Sequence, residues 1–361
     1  MYCGVIRMPE AQGQDWYGEE NPKEPWVQGI QYGRRWKITI FKPAYKENAE
    51  GKQERDPEHD VEMDVSLLRC IFKTQFTKGT PVQIGTLVVY NMNAATEKEV
   101  IQEGFQISIE GGYEEAQYGH IYTGDIVQVI RNRENGIDYR LEILAIRSSL
   151  MFDTNHVRAS IAAQAKPREV VETVCKQADK EMAPGEISDN ISQQPLPRGK
   201  VIFGTAGKYL RDIAIANNAW FGEDDEGKVY MRGINDEIPQ DKCLELTPNT
   251  GLVGTPKYTD GGIQIKMLLD ARVKIDSLIK IDNELIQRQL INVDQKTGGM
   301  SSNQQPQANV FDKDGEYQVF SVAHAMDTHG NDWSTEVLGI SRNGRTGLPA
   351  TVESVNQSMV V

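Results

Sequence analysis

Hydrophobic and polar residues alternate most regularly along Gly104–Ile146. In Phe105–Glu110 every second residue is apolar, and the segments 126–130 and 139–146 repeat the alternation. A period of two is typical of strands that bury one face and expose the other. The pattern therefore predicts three consecutive strands of one sheet.

A second region, Gly262–Ile281 followed by Glu316–Thr328, repeats the same order of segments. Each copy has an alternating strand, an irregular connection, a short strand led by an acidic residue, an excursion and a long strand. The acid-led strands are Gly124–Val129 (GDIVQV) and Asp276–Ile281 (DSLIKI). We interpret the repeat as a duplicated β unit in which the acid-led turn sets the strand register of each copy.

The region between the two copies has a helical period instead. Pro167–Lys180 places valines three and four residues apart and has a proline near its first turn, which predicts a helix. A strand is expected at Gly199–Phe203, a helix at Thr205–Asn218 with Thr205 as its N-cap, and a hairpin over residues 220–232. These elements predict a small α+β domain.

At 361 residues the chain exceeds the usual size of a single core, so several compact units are expected. The predicted fold is mainly β with an α+β insert. Its parts are an N-terminal arm (1–33), a first β-barrel domain (34–149), an α+β domain (150–248), a second β-barrel domain (249–340) and a C-terminal tail (341–361). A polar stretch at 294–310 is expected to be a mobile loop in the second barrel.

Composition and charge disfavour nucleic-acid-binding proteins, membrane proteins and disulfide-bonded proteins. The formal net charge of −13 disfavours nucleic-acid binding, because that needs clustered Lys and Arg. No apolar stretch approaches the roughly 20 residues needed to cross a bilayer, so no membrane span is predicted. The cysteines Cys3, Cys70, Cys175 and Cys243 are widely spaced without a CxxC pair, which predicts free thiols in a reducing cytoplasm.

The segment Gly204–Tyr209 (GTAGKY) is the nearest approach to a nucleotide-binding motif. A phosphate loop has glycine five residues before its Gly-Lys pair and Ser or Thr after it. Ile202 and Tyr209 stand at those two positions, so no nucleotide site is predicted.

The segment His324–Trp333 is the richest cluster of polar side chains. His324, Asp327, His329 and Asp332 could supply imidazoles and carboxylates to zinc or a similar ion. However, His324 lies in an alternating strand, and the residues that follow Asp327 suit a turn between strands. We therefore expect a turn closed by Asx and imidazole hydrogen bonds, and no metal site.

Two pairs of carboxylates, Glu114–Glu115 and Glu223–Asp225, are the candidates for hydrolytic chemistry. Both lie in polar loop sequence, where nothing indicates the apolar pocket that raises the pKa of a catalytic carboxyl. A cell-wall-degrading enzyme remains an alternative function, and a carbohydrate-binding module that uses Trp220 and Tyr230 as stacking platforms is another. No catalytic, cofactor-binding or metal residue is predicted.

Four segments, taken in order, resemble the baseplate hub protein of contractile-tailed bacteriophages, which is related to the hub part of secretion-system spike proteins. The segments are Pro167–Lys180, Lys200–Phe221, Thr250–Asp282 and Tyr317–Gly339. Together with the first barrel, the resemblance extends over about residues 34–340.

The resemblance implies two tube-like β-barrels per chain and a homotrimer whose six barrels form a ring. The ring would match the sixfold tail tube or a tube-initiator protein on one side and the threefold central spike on the other. The tape measure protein and baseplate wedge proteins would be further partners, and DNA would pass through the channel without sequence-specific binding. The implied location is the tail baseplate of the virion, assembled in the cytoplasm of the bacterial host.

Overall fold

A computed structural model of the chain describes residues 31–341 with several gaps. The gaps are 32, 48–52, 57–58, 81–82, 101–104, 115, 135, 148–153, 181, 192–193, 225–227, 234–235, 237–242, 260–261 and 283–314. The predicted N-terminal arm, apart from Gln31 and Gly33, therefore lies outside the described residues. The same holds for the predicted loop 294–310 and for the tail from residue 342 onward.

The described residues are mainly β, which confirms the prediction from the alternating patterns. The strands are β1 (Arg34–Lys42), β2 (Tyr45–Glu47), β3 (Gln53–Arg55), β4 (Val61–Asp64), β5 (Cys70–Thr77), β6 (Gln83–Tyr90), β7 (Gln106–Tyr113), β8 (Tyr118–Glu134), β9 (Asp138–Arg147), β10 (His156–Ile161), β11 (Ala183–Ile187), β12 (Lys200–Thr205), β13 (Ala219–Glu223), β14 (Lys228–Gly233), β15 (Cys243–Leu246), β16 (Lys257–Thr259), β17 (Gly262–Leu268), β18 (Leu278–Ile281), β19 (Glu316–Asp327) and β20 (Trp333–Ser341). The helices are α1 (Ala94–Val100), α2 (Pro167–Gln177) and α3 (Ala206–Ala216).

Thirteen of the described strands form one open sheet. Its main order is β16-β17-β20-β19-β5-β6-β9-β8-β7-β1-β4, and β18 and β15 attach beside β19. Every pair along the main order is antiparallel. The strands of the two β-rich halves, before residue 148 and after residue 242, meet where β5 pairs with β19.

The described strands close no barrel, so the expectation of two tube-like barrels within the chain is not confirmed. The two halves share one sheet because β19, which has 12 residues, pairs with strands of both. Glu316–Gln318 pairs with β18, whereas Ser321–Asp327, beyond a bulge, pairs with β5 of the other half. That pairing satisfies backbone groups that would otherwise remain on a free edge. The equivalence of the two halves as folds stays a prediction.

The two copies of the sequence repeat share one strand pairing. The acid-led segment pairs antiparallel with the long strand in both, as β8 with β9 and β18 with β19. The alternating strand β7 pairs with β8, but β17 pairs with β20 instead of β18. The prediction of a turn at Gly124 is wrong, because Gly124 lies inside the 17-residue strand β8. Asp276 does lie in a turn, with φ of +70°.

Two hydrophobic clusters form the interior. The larger one combines side chains from both β-rich halves, among them Ile38, Phe72 and Ile107 from the first and Ile265 and Val322 from the second. The smaller one draws only on residues 157–231 of the central region. The boundaries of the three predicted domains stay a prediction.

The central region contains the helices and the hairpin that its sequence predicts. Helix α2 begins at Pro167, where the missing N–H costs nothing, and it buries Val170, Val171 and Val174. Strands β13 and β14 form the expected antiparallel hairpin. Thr205 occupies the N-cap of α3, as predicted, and its side chain makes no capping hydrogen bond there. Strand β11 contains Pro184 and Gly185, which are uncommon inside strands, and it pairs in parallel with β14.

The helices within the described ranges are all too short or too polar to cross a membrane.

Candidate functional site

The two β-rich halves meet along β5 and β19, a contact that we call the seam. Seven residue pairs join the strands, from Ile71 opposite Asp327 to Thr77 opposite Ser321. The Ser321 hydroxyl also donates to the carbonyl oxygen of Phe76 at 2.8 Å. A cluster of polar side chains lies at each end of the seam, so the ladder is fixed at both ends.

His324 lies within the seam and is buried, with 4% of its surface exposed. Its Nδ1 is 2.9 Å from the Thr335 hydroxyl, which also accepts a hydrogen bond from the Asp270 backbone N–H. The Phe76 ring meets the imidazole edge-on, with 6.0 Å between the ring centroids. The imidazole is therefore a packed, hydrogen-bonded part of the sheet.

The first polar cluster surrounds Asp327 in the turn between β19 and β20. Its Oδ1 accepts hydrogen bonds from the backbone N–H groups of His329 and Gly330, at 3.0 and 2.8 Å. Its Oδ2 lies 3.3 Å from the Arg69 guanidinium, and Arg34 donates to the Gly330 carbonyl oxygen at 2.6 Å. Both arginines belong to the first half, so the carboxylate and its turn hold the two halves together.

These contacts determine the direction in which the pKa of Asp327 is shifted. Burial alone would raise its pKa, but the N–H groups of His329 and Gly330 and the Arg69 guanidinium outweigh burial and hold the pKa below its ordinary value of 3.8. The predicted Asx turn is thus confirmed. Among the described residues, no group of three or more His, Cys, Asp or Glu is arranged to hold a metal ion.

The same turn is also packed against the first half. The rings of Trp36 and Trp333 meet edge-on with centroids 5.9 Å apart, and the Arg34 guanidinium lies 5.3 Å from the Trp333 ring. Cys70 and Thr328 exchange two hydrogen bonds, one to the Thr328 hydroxyl at 2.9 Å and one to the Cys70 carbonyl oxygen at 3.0 Å. This end of the seam therefore has both apolar and polar contacts between the halves.

The second polar cluster surrounds Asp276 at the opposite end of the seam. The Lys78 Nζ lies 2.8 Å from Asp276 Oδ1, and the Gln318 amide donates to the same oxygen at 3.1 Å. Arg232 approaches Oδ2 at 3.8 Å. Lys78 follows β5, Gln318 lies in β19 and Arg232 lies in β14, so one carboxylate contacts both halves and the central region.

The Asp276–Lys78 pair is buried, with side chains 3% and 11% exposed. Burial raises the pKa of Asp276 above its ordinary 3.8, and the nearby Lys78 and Arg232 charges offset this only in part. Such a pair adds little net stability, yet removal of one partner is costly because the other charge stays buried. Loss of Asp276 would therefore disturb contacts with all three parts at once.

The two aromatic residues considered as sugar platforms pack beside this cluster. Trp220 and Tyr230 meet edge-on with centroids 5.2 Å apart, and the Lys78 Nζ lies 5.6 Å from the Trp220 ring. Trp220 is 5% exposed, so its ring is not available to stack on a sugar. The structure therefore gives the pair a packing role.

The remaining candidates lie apart from the seam clusters. Glu114 is exposed and Glu223 is half-buried, while their predicted partners Glu115 and Asp225 lie outside the described residues. The segment 204–209 joins β12 to α3, and its Tyr209 hydroxyl bonds both the N–H and the carbonyl oxygen of Phe203, at 3.0 and 3.1 Å.

Three cysteines fall within the described residues, and all three are free thiols, as expected. Cys70 and Cys175 are buried, and burial raises the pKa of each to about 12. Cys243 is half-buried, and Cys3 lies outside the described residues.

Sequence analysis found the acidic member of each cluster and missed the basic members. Asp327 was marked as a turn residue and Asp276 as the start of an acid-led strand. Lys78 and Arg69 carry no local signal, because each meets its carboxylate about two hundred or more residues along the chain.

Comparison with solved structures gives distant similarity to tail proteins. A 43 kDa tail protein of prophage MuSo2 from Shewanella oneidensis has 9% sequence identity and a TM-score of 0.50, over 85% of this chain and 99% of that one. A tail protein from Neisseria meningitidis MC58 has 8% identity and a TM-score of 0.47, over 87% and 98% of the two chains. The E. coli c3393 protein, a type VI secretion system component, has 12% identity and a TM-score of 0.47, over 78% and 76%.

At such low identity these similarities concern the fold alone. No curated protein matches the sequence significantly. The family model for Baseplate hub gp41 matches residues 87–287, which is more than half of the 361 residues. The match includes the second half of β6 and strands β7 to β9, the whole central region and the first strands of the second half. The chain therefore belongs to the baseplate hub gp41 family and is a structural component of a phage tail.

Proposed function

We propose that this chain is the non-enzymatic hub of a contractile-tail baseplate. Three copies form a ring that adapts the sixfold tail tube to the threefold central spike and encloses the DNA exit channel. The observation that carries the proposal is the family match over residues 87–287. The seam supports it, because it fixes two β-rich halves to each other within one chain.

The physical reason for two halves is a mismatch of symmetry. A closed ring of three chains has threefold symmetry, and two similar halves per chain supply six positions around the same axis. Six positions match a sixfold tube only if the halves keep a fixed spacing. The ladder of β5 and β19 and the clusters at Asp327 and Asp276 supply that constraint.

The sheet of one chain is open, and in the proposed trimer the contacts between chains complete it. Its terminal strands, β4 and β16, each have one described strand as neighbour, so each leaves an edge for another contact. In this proposal the two tube-like units complete the wall of the channel only when three chains meet.

Charge favours a channel that DNA passes through without binding. Each chain carries a formal net charge of −13, and a trimer triples it. An acidic wall repels phosphate and lets DNA slide past during ejection. The same proposal places the spike on the threefold side and the tail tube or its initiator on the other. Tape measure and wedge proteins are further partners in the virion baseplate.

Native mass spectrometry of the purified full chain, alone and with its spike and tube proteins, tests the proposal. The expected result is a trimer, alone or once a partner is present. A chain that stays monomeric with both partners present would refute the hub assignment. Incubation with purified peptidoglycan tests the absence of enzymatic activity. Turnover that a single acid-to-amide change abolishes would replace the structural role by a hydrolytic one.

A further inference from the structure

One face of the two-stranded sheet β10–β12 carries exposed apolar side chains. Val201 and Phe203 on β12 are each 76% exposed. They are two residues apart on one strand, so both side chains point to the same face of the sheet. Ser160 and Arg158 stand directly opposite them on β10 and belong to that face. We call these four residues the ribbon patch. Single exposed apolar residues are common, but two that adjoin on one face indicate a contact surface.

The charge around the ribbon patch is positive. Arg158 is exposed within it, and Lys200 lies at the end of β12 with its Nζ 5.6 Å from the Tyr209 ring. Neither β10 (HVRASI) nor β12 (KVIFGT) contains an acidic residue. Asp179 approaches the other end of β10, where its N–H donates to the His156 carbonyl oxygen at 2.9 Å. A ligand of the patch should therefore combine apolar groups with carboxylates at the centre and toward Lys200.

The edge of β12 is closed beside the ribbon patch. The Tyr209 hydroxyl accepts a hydrogen bond from the Phe203 N–H at 3.0 Å and donates to the Phe203 carbonyl oxygen at 3.1 Å. An added strand cannot pair with β12 at that position, because both backbone groups are already bonded. A ligand must therefore lie across the face of the sheet and be held by side chains.

The N-terminal arm has the composition that this face requires. Residues 1–30 contain five acidic residues against two basic ones. Aromatic and acidic residues are interspersed in the segment 10–26, where Lys23 is the one basic residue. The aromatic residues of the segment are Trp16, Tyr17 and Trp26, and its acidic residues are Glu10, Asp15, Glu19, Glu20 and Glu24. Its charge is opposite to that of the ribbon patch, and its rings supply the apolar groups.

The other long segments outside the described residues match the patch less well. The tail 342–361 has Arg342 and Arg345 against the single acidic residue Glu353, so its charge has the same sign as the patch. The segment 283–314 has four acidic residues against three basic ones and one aromatic residue, Phe311. Charge complementarity therefore selects the arm from these three segments.

The arm is also long enough to reach the patch. Its last residues are held by the sheet, where the Gln31 amide donates to the Thr250 carbonyl oxygen at 3.1 Å. Trp16 lies 15 residues before Gln31, which is a span of up to about 50 Å for an extended chain. A domain of the size of the central region is about 30 Å across. Covalent attachment keeps the arm at a high effective concentration near its own chain.

We propose that the N-terminal arm docks on the ribbon patch of its own chain. Its aromatic rings cover Val201 and Phe203, and its carboxylates lie at Arg158 and Lys200. The contact would bury an apolar face that otherwise promotes association with unrelated proteins. It is a contact within one chain, so it holds whether or not the chain forms the proposed trimer.

Photo-cross-linking of the full-length protein tests the contact. Replacement of Phe203 by p-benzoylphenylalanine keeps an aromatic ring at the patch and adds a ketone that reacts, on irradiation, with groups in contact with it. Mass spectrometry of the digested protein should locate the cross-link in residues 10–26, and denaturing electrophoresis should show a single chain. The same replacement at Ile137, which is 81% exposed in the hairpin of β8 and β9, is the control and should not label the arm.

Charge reversal tests the polar part of the contact. Arg158→Glu replaces an attraction by a repulsion and should lower the yield of the cross-link about tenfold. Glu19→Lys together with Glu20→Lys should raise the yield again in the Arg158→Glu chain. Arg158 is exposed, so circular dichroism should show an unchanged fold, and Lys200→Glu is a second variant that should act in the same direction.

Several results would overturn this inference. They are equal labelling of the arm from positions 203 and 137, a cross-link from position 203 to the tail 342–361 or to a second chain, and a yield that Arg158→Glu leaves unchanged. A wild-type chain that stays monomeric with spike and tube proteins bears on the proposed function instead, since the cross-link within one chain should form in a monomer as well.

Discussion

Replacement of Gly124 by alanine should destabilise the fold, because the Tyr122 ring occupies the space that a new methyl group would need. A Cβ on Gly124 would lie 2.8 Å from the Cε1 and Cζ atoms of Tyr122. A Cβ on Gly85, in β6, would lie 2.7 Å from the same Cζ. The ring is fully buried and packs against Phe72 and Phe76, with centroids 5.3 and 6.2 Å away. It therefore lies on two glycines of the sheet and has little room to move.

The magnitude follows from two opposing effects. Overpacking of a close-packed core costs about 1–3 kcal/mol, and a carbon pair held near 2.8 Å belongs at the upper end, since ordinary contact is about 3.5–4.0 Å. Alanine recovers about 0.5–1 kcal/mol, because glycine loses more conformational freedom on folding. Gly124→Ala should therefore lower the free energy of unfolding by about 2 kcal/mol. The larger Gly124→Val should cost more.

Urea unfolding followed by tryptophan fluorescence measures this change. A double-mutant cycle with Tyr122→Leu isolates the clash, because the cost of Gly124→Ala should fall by at least about 1 kcal/mol once the ring is gone. Gly119→Ala is the comparison in the same strand, since its Cβ would lie 3.3 Å from the Cβ of Ala271, a tight contact but a milder one, and it should cost clearly less than Gly124→Ala. If Gly124→Ala costs the same with and without the Tyr122 ring, steric exclusion is the wrong explanation.

Three further predictions concern the seam clusters and the thiols. The folded-state pKa of Asp327 lies below 3.8, so the stability that its carboxylate contributes is complete above that pH and is lost as the pH falls through the folded-state pKa. Asp327→Asn should therefore reduce the fall of the unfolding free energy at acidic pH. An unchanged fall in the variant would contradict this. Asp276→Leu should cost about 3 kcal/mol or more in urea unfolding, because the buried ion pair with Lys78 is lost and leucine fits poorly at φ of +70°. Asp276→Asn should cost less, because asparagine tolerates a positive φ. Equal losses would argue against the backbone part of that reasoning. In the native protein iodoacetamide should modify half-buried Cys243 well before Cys70 or Cys175, as peptide mapping would show.

Local patterns were sufficient to predict several elements of this protein. Val170 and Val174 are one helical turn apart, and Pro167 marks the start of α2, so the signal for that helix lies within 11 residues. The hairpin of β13 and β14 is likewise encoded by neighbouring residues. The turn at Asp327 was predictable because an Asx residue closes a turn with its own neighbours.

The seam was not predictable in the same way. Ile71 and Asp327 are paired across 256 positions of sequence. Alternation of apolar and polar residues predicts that a segment is a strand, but it does not indicate which other strands pair with its two edges. The role of Gly124 was misread for a related reason. Its sequence neighbours suggested a turn, whereas the constraint comes from Tyr122 and from Gly85 two strands away in the sheet.

The position of the seam bears on how a hub of this kind could work. If the two halves were joined only by the central region, rotation between them would be opposed by a few surface contacts. Instead, the ladder of β5 and β19 runs between two polar clusters, and the Asp276 cluster also holds the central region through Arg232. A change at Asp276 would then alter the angle between the halves as well as the stability of the chain. In the proposed ring, six matched positions require that angle to be fixed, so assembly should be more sensitive to changes in the seam than the folding of either half is.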